Sequence, residues 1–393
     1  MARASLPAEA EVAIVGAGVM GLALAHNLAS LGQRRVVVLD GGYLASGASG
    51  RNGGGVRQQW STEMNIRLMQ ESVALCAGFA QEMGINVWMR QGGYLFLART
   101  AAARARMEKN VALQNSCDVA TRLITPDDAR EIVPELEVEG FEAACYNPTD
   151  GIVFPWPFLW GYARAAEKRG VAIHTGTPVT AIDRDARGFT LRTPKGEVKA
   201  ARVVCAAGAW SPGVARLAGV ALPDWPQRHE ILSTEALKPF LKPMVSVLET
   251  GLYFSQSLRG EIVGGISMPE PPHDAAHAPF IELGSRLAFL QEMARAITEV
   301  MPILGHVKVV RQWAGPYDMS PDGNPIVGEA PDAPGFFVCC GFEGHGFMMA
   351  PVVARHYALH LCGKSTHPFF EAWSAKRFGD PGSGGERETM TIG

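Results

Sequence analysis

The sequence predicts an α/β chain in two parts, a parallel-sheet region that is interrupted by antiparallel strands and then resumes. Three observations carry this. The first forty residues read strand, glycine turn, helix, strand. Between His229 and Ile266 the pattern changes to short alternating runs (HEILSTE, LYFSQ, EIVGGI) joined by Pro- and Gly-bearing turns, as in an antiparallel sheet. From Gly335 an apolar strand followed by a helix restores the α/β alternation.

In chain order, Glu11 to Val15 is a short apolar run ending at Gly16, as a buried parallel strand would be. From Gly21 the spacing of Leu24, Leu28 and Leu31 gives one face of a helix that stops at Gly32, and Arg35 to Leu39 is a second buried strand closed by Asp40. A loop of small residues, Ala45 to Gly55, leads to a helix over Thr62 to Met83. Gly92 to Ala98 reads as a strand and Ala101 to Cys117 as a polar helix. Thr125-Pro126-Asp127-Asp128 opens another helix, with a cap, a Pro at the first turn and acids at the positive end. A helix over Phe158 to Lys168 and strands at Val171 to His174 and Val203 to Gly208 precede the antiparallel segment. A helix over Ile281 to Val300, strands at His306 to Trp313 and Gly335 to Cys340, and a helix over Met348 to Leu361 follow it. The stretch from Gly379 has no apolar content to bury and is expected to be disordered.

At 393 residues the chain suits two domains sharing an interface. Its 36 basic and 39 acidic residues give a net charge of −3, so no field of one sign exists to gather nucleic acid or an anionic membrane. Seven cysteines, an odd number with no C-x-x-C pair, argue against a disulfide framework or zinc ribbon and for buried reduced thiols. Cys339 and Cys340 are adjacent in a strand and should face opposite ways. Met1 to Ala10 has no apolar h-region, and Val12 to Ala25 is too short and Gly-rich for a membrane span, so the chain reads as cytoplasmic.

Gly16-Ala17-Gly18-Val19-Met20-Gly21 fits G-x-G-x-x-G. Gly16 permits the tight turn, Gly18 lets backbone approach a pyrophosphate, and Gly21 lets helix and strand pack closely. The helix start supplies N–H groups and partial positive charge. Asp40, 19 residues beyond Gly21 at the end of the second strand, stands where a carboxylate accepts hydrogen bonds from ribose hydroxyls. This is a Rossmann-like dinucleotide site. A nicotinamide enzyme would continue with further βα units, whereas a Gly- and Ser-rich loop carrying Arg51 and Arg57 comes at once.

Five segments together carry a resemblance. They are the GAGVMG turn, Ser49 to Trp60 (SGRNGGGVRQQW), Val203 to Trp210 (VVCAAGAW), Ser320 to Gly328 (SPDGNPIVG) and Gly341 to Phe347 (GFEGHGF). The chain resembles the D-amino-acid oxidase superfamily of FAD-dependent oxidoreductases, in the branch of sarcosine oxidase β-subunits and dye-linked L-proline dehydrogenase β-subunits. The resemblance implies an FAD-binding domain of discontinuous segments, 1–90, 151–222 and 316–378, and an α+β substrate domain with a mostly antiparallel sheet, 91–150 and 223–315; composition sets the disordered tail at 379–393. It implies oxidation of the C–N bond of a small amine or amino acid to an imine by hydride transfer to flavin. Two alternatives stand beside that reading: a catalytic β-subunit whose partner chains accept the electrons, and a non-catalytic flavin-binding assembly factor.

By the same resemblance Asp40 takes the adenosine ribose, while Ser49, Arg51, Asn52 and Gly53 line the pyrophosphate and flavin. Gly344-His345-Gly346, with Phe347 and Met348, lies beside the isoalloxazine. Arg57 matches an arginine set against the substrate carboxylate; a structural arginine tying down the flavin loop is the alternative. Tyr253 sits in the sheet that should roof the site, or is core. His345 either bonds the flavin or fills the turn. Three positions depart from the relatives' pattern. Gly315 stands where monomeric sarcosine oxidases carry the cysteine that attaches FAD, which implies non-covalent FAD. Pro155 or Pro157 replaces the histidine that holds a covalent FMN in heterotetrameric enzymes. Met348 replaces a lysine near the substrate carboxylate, which favours proline-like substrates over sarcosine. No metal is expected: His356 and His360 have a ligand spacing without a third ligand.

Overall fold

The computed structural model describes residues 5–270, 283–379 and 387–390. Its first sheet begins with β1 (Glu9–Val15), α1 (Val19–Ser30) and β2 (Val36–Leu39), the βαβ unit expected from the sequence. Helix α1 starts two residues before Gly21, and nine of its residues, Val19 to His26 and Leu28, are buried because it is packed on several sides. Next come α2 (Glu63–Met83), β3 (Tyr94–Ala98), α3 (Ala101–Ser116), β4 (Arg122–Ile124), β5 (Ala143–Asn147) and α4 (Pro155–Lys168). Thr62 caps α2 by accepting from the Asn65 N–H, and Gly84 ends it in the left-handed conformation, which a glycine adopts without strain. Helix α4 begins at Pro155, earlier than the expected Phe158, since a proline at the first position fits the helical φ and has no N–H to leave unpaired.

Strands β6 (Ala172–His174) and β7 (Gly196–Cys205) complete the parallel core, whose order is β13-β14-β7-β1-β2-β6 with β13 (Ile326–Glu329) and β14 (Phe336–Cys340). All neighbours are parallel except β13 with β14. β7 is longer than the expected strand because its first half pairs with a hairpin, Ala181–Asp185 and Gly188–Thr193, that extends from the sheet. α6 (Gly346–Leu361) packs on α1 and α2 over one face. Cys339 lies in the cluster on that face and Cys340 in the cluster on the other, as alternation requires. All seven cysteines are free, and all but Cys362 are buried.

The second sheet has the order β12-β8-β11-β10-β9-β3-β5-β4, using β8 (Trp225–Ala236), β9 (Met244–Val247), β10 (Leu252–Gln256), β11 (Glu261–Gly265) and β12 (Val309–Met319). It is antiparallel apart from β9 beside β3. Helix α5 (Leu287–Val300) buries Phe289, Met293 and Ile297 against one face. It starts later than the expected Ile281; residues 281 and 282 lie outside those described, and 283–286 are not helical. The domain boundary expected at 315/316 falls inside β12, which stays paired with β8 from Val309 to Met319. The two halves of that strand differ in composition, with Gly and Pro in the second half masking its continuity.

Of the segment expected to be disordered, 380–386 and 391–393 lie outside the described residues. Glu388 and Met390 are buried, at 2% and 3% exposure. A polar stretch has no core of its own, but one carboxylate and one methionine suffice where another part of the chain supplies partners. No helix among the described residues is long and apolar enough to cross a membrane.

Candidate active site

A cavity of about 530 Å³ opens between the two sheets, at the carboxyl ends of β1, β2 and β7 and under β8, β10 and β12. In open parallel sheets that crevice is where ligands bind. At one end it is walled mostly by backbone. Gly16 has φ +117° and a Cβ there would stand 2.3 Å from the Ala206 carbonyl oxygen, so only glycine fits the turn. Gly21 does not line the cavity; its missing Cβ brings α1 onto the Gly16 carbonyl, 2.0 Å from where that Cβ would be. Gly18 lines the cavity and caps α1 without a side-chain hydrogen bond, and no acidic residue stands in the first turn. Ser49 Oγ accepts from the Val19 N–H at 2.9 Å. The helix start is thus electropositive and turned to the cavity, fit for a phosphate.

Asp40 lines the same end. One carboxylate oxygen accepts from the Ala17 N–H at 2.6 Å and the other from the Gly42 N–H at 2.7 Å. Burial raises its pKa, while the two backbone bonds oppose the rise. The loop 46–55 follows. Arg51 donates from Nε to the Ser46 carbonyl and from Nη1 to the Ala314 carbonyl, both at 3.1 Å, so it ties the loop to β12. Asn52 donates to the Ser49 carbonyl and accepts from the Gly54 N–H, which fixes the turn that presents Gly53 to the cavity.

The other end is walled by side chains. The His229 ring on β8 lies 3.0 Å from the Tyr253 hydroxyl on β10 and stacks on Tyr317 of β12 at 4.4 Å between centroids. Burial lowers the His229 pKa to about 4, so the imidazole is neutral at physiological pH, and it pushes both phenols up. Tyr317 lies against Gly344, where a Cβ would meet its ring at 2.4 Å; Gly344 has φ +82°. This lets the Gly344-His345-Gly346 turn tuck under the aromatic roof and start α6 toward the cavity, with Phe347 and Met348 beside it. Gly315 lines the wall, and a Cβ there would stand 3.4 Å from the Arg51 Cβ.

Arg57 is fully buried. It donates to the Gln59 and Met390 carbonyls, meets His345 Nε2 at 3.3 Å and lies 4.1 Å over the Trp60 ring. Its neighbours in the RQQ segment serve a different group: the Gln58 N–H and Gln59 Nε2 donate to Asp150, at 2.8 and 3.0 Å. Burial and the nearby Arg57 charge keep His345 well below the usual imidazole range.

All the sequence-selected residues except Gly21 line one cavity. His229, Tyr317 and Asp318 were not selected, because nothing local distinguishes a His or Tyr in an alternating strand from a core residue. The feature that could have found His229 and Tyr317 is that their strand pattern places polar rings on one face of the sheet. Asp318 faces Asp224 and the Cys340 thiol, with one atom from each within 4.8 Å of the others. Burial raises Asp224 to about 6 and Asp318 well above the carboxylate range, the latter further raised by Asp224, so the pair shares a proton at neutral pH. His356 and His360 turn to separate partners, Glu71 at 2.9 Å and Thr366 at 3.0 Å.

The sequence matches, over residues 11–359, the model of the family described as FAD dependent oxidoreductase. It is 28% identical to the sarcosine oxidase subunit beta of Rhodobacter capsulatus, over 92% of this chain and 89% of that one. It is 30% identical to the subunit of the same name from Rhizobium meliloti, over 90% and 84%. Among solved structures, L-proline dehydrogenase from P. horikoshii superposes with a TM-score of 0.89 at 33% identity, covering 95% of this chain and 99% of that one. Glycine oxidase from Geobacillus kaustophilus gives 0.86 at 25%, covering 94% and 99%. The chain belongs to the FAD-dependent oxidoreductase family, and the cavity-facing helix start with no acid in its first turn, Asp40 and the backbone-walled cleft fit that cofactor.

Proposed function

We propose that this FAD-dependent oxidoreductase acts on the C–N bond of a small secondary amino acid of the proline or N-alkyl glycine type, in the cavity beneath His229, Tyr253 and Tyr317. The observation that carries the reading is the neutral His229–Tyr253 pair facing the turn at the start of α6. FAD, when bound, supplies the two-electron acceptor that takes hydride from the carbon beside nitrogen. With the Tyr253 hydroxyl donating to His229, its oxygen lone pairs are left to accept an N–H of the substrate, which orients the nitrogen and the C–H next to it. The carbon would lose a hydride to the flavin and the nitrogen a proton to water, leaving a C=N bond that water hydrolyses.

Gly16, Gly18 and the α1 start would hold the pyrophosphate, Asp40 the ribose, and Ser49, Arg51, Asn52 and Gly53 the remainder. Gly344, Gly346, Phe347 and Met348 would border the ring, with His345 fixing the turn. Gly315 offers no thiol for a covalent link, so FAD would dissociate on denaturation. Arg57 would receive the substrate carboxylate, with Met348 giving the site an apolar edge suited to a ring. The first sheet would form the FAD-binding domain and the second the substrate domain. A second reading, favoured by the similarity to proteins named as beta subunits, is that partner chains accept the electrons.

The test is anaerobic bleaching of the flavin absorbance against sarcosine, proline, pipecolate, glycine, D-amino acids and simple secondary amines, followed by air. Bleaching by proline-like compounds is expected. Bleaching by none of the panel contradicts the reading. Recolouring in air separates an oxidase from an enzyme that passes its electrons to a partner.

A further inference from the structure

Glu388 sits far from the glycine turn in sequence, yet it is placed as if it belonged to the site. Its carboxylate accepts from the Ser61 N–H at 3.1 Å, from the Ser61 hydroxyl and from Asn65 Nδ2 at 2.8 Å, at the start of the 21-residue helix α2. A negative charge there opposes the positive end of the helix. The same carboxylate accepts from the Thr389 and Met390 N–H groups at 3.0 and 2.8 Å, which curls the segment back on itself. The Met390 side chain then enters the apolar cluster of Tyr94, Phe96 and Met244, two of which, Tyr94 and Met244, also wall the cavity. Its carbonyl accepts from Arg57 Nη2, the nitrogen that also meets His345 Nε2.

Arg57 therefore stands between the cavity in front and the segment behind. It is a buried cation, and the anions that act on it are Glu388 and Asp150. Asp150 is occupied by Gln58, Gln59 and Asn147. The guanidinium is held by the Gln59 and Met390 carbonyls and by the Trp60 ring beneath it, and the segment carrying the Met390 carbonyl is curled by Glu388. We infer that Glu388 and Met390 are positioning residues of the active site, holding Arg57 at the angle from which it meets a substrate carboxylate. The inference rests on the proposed role of Arg57. Neither residue lines the cavity; Met390 also packs with Tyr94 and Met244, which do, and a comparison of a charged with an uncharged ligand isolates the part of their effect that passes through Arg57.

The probe is furan-2-carboxylate, a flat ring with a carboxylate and no oxidisable C–N bond, set against its uncharged amide, furan-2-carboxamide. Binding to the FAD-loaded protein is read from the flavin absorbance, so no turnover is needed. Glu388→Ala should weaken the acid about tenfold, the effect of misaligning one charge-assisted hydrogen bond, while leaving the amide unchanged. Glu388→Asp should recover part of the loss. A stop after Glu386 should reproduce the Ala variant. If either variant fails to fold, Ser61→Ala removes one donor to Glu388 and should show the same preference in smaller measure. Equal binding of the acid to wild type and variants would overturn the inference, as would equal weakening of acid and amide. Failure of the wild type to bind the acid would overturn the carboxylate role of Arg57 and the inference with it.

Discussion

At its dinucleotide end the cavity is walled largely by backbone from two nearby segments, Gly16 to Met20 and Asp40 to Gly55, closed by the Ala206 carbonyl behind Gly16. At its roof it is walled by side chains from three strands, with His229, Tyr253 and Tyr317 meeting through the pairing of β8 with β12 and of β10 with β11. The first end holds by geometry that almost any side chain would spoil. The second holds by a few polar rings whose ionisation is set by burial. Substitutions at the two ends should therefore separate cofactor retention from turnover.

The largest effect is expected from Gly16→Val. A Cβ there meets the Ala206 carbonyl at 2.3 Å in a backbone region that β-branched residues avoid, so the variant should purify without flavin or fail to fold. A yellow, folded Gly16→Val protein would show that the turn yields. Asp40→Ala is milder. It removes the acceptor of the Ala17 and Gly42 N–H groups and, on the proposed role, that of the ribose, and should weaken FAD binding roughly 10–100-fold with the turnover of loaded enzyme unchanged. Unchanged flavin content after dialysis would remove Asp40 from that role.

A third effect, one that vanishes at low pH, lies between the two ends. Because the Asp224 and Asp318 carboxyls are raised in the fold, the protonated pair stabilises the protein at low pH, and that stability is lost as pH rises through about 6. Asp224→Asn relieves the conflict. The variant should be more stable than wild type at pH 8, on the order of 1–3 kcal/mol, with the difference shrinking toward pH 4. A pH-independent difference in thermal midpoint would mean that the two acids do not share a proton.

The same contrast decides what the sequence revealed. A glycine fingerprint is legible because its residues are adjacent and each answers a local steric demand, and Asp40 is legible from its distance to Gly21. Tyr253 was reached only through the sheet it belongs to, while His229 and Tyr317, 88 residues apart in sequence, needed the register of β8 and β12 to bring them together. Residues 387–390 were hidden for another reason: their partners Ser61, Asn65 and Arg57 lie more than 300 residues away, and composition reports only what a segment can bury by itself. The end of β12 was obscured because Gly315 and Pro316 read as a break, whereas an edge strand accommodates a proline with its N side unpaired.

The most direct test of this division of labour is the limiting rate of anaerobic flavin reduction, by whichever amino acid bleaches the wild type, measured in His229→Ala at matched FAD content. His229 lies 3.0 Å from the Tyr253 hydroxyl and stacks on Tyr317, at the roof of the cavity. The reduction rate should fall about 10²-fold while the flavin spectrum and FAD affinity stay those of the wild type. An unchanged rate, or a loss accounted for wholly by lost FAD, would contradict the account.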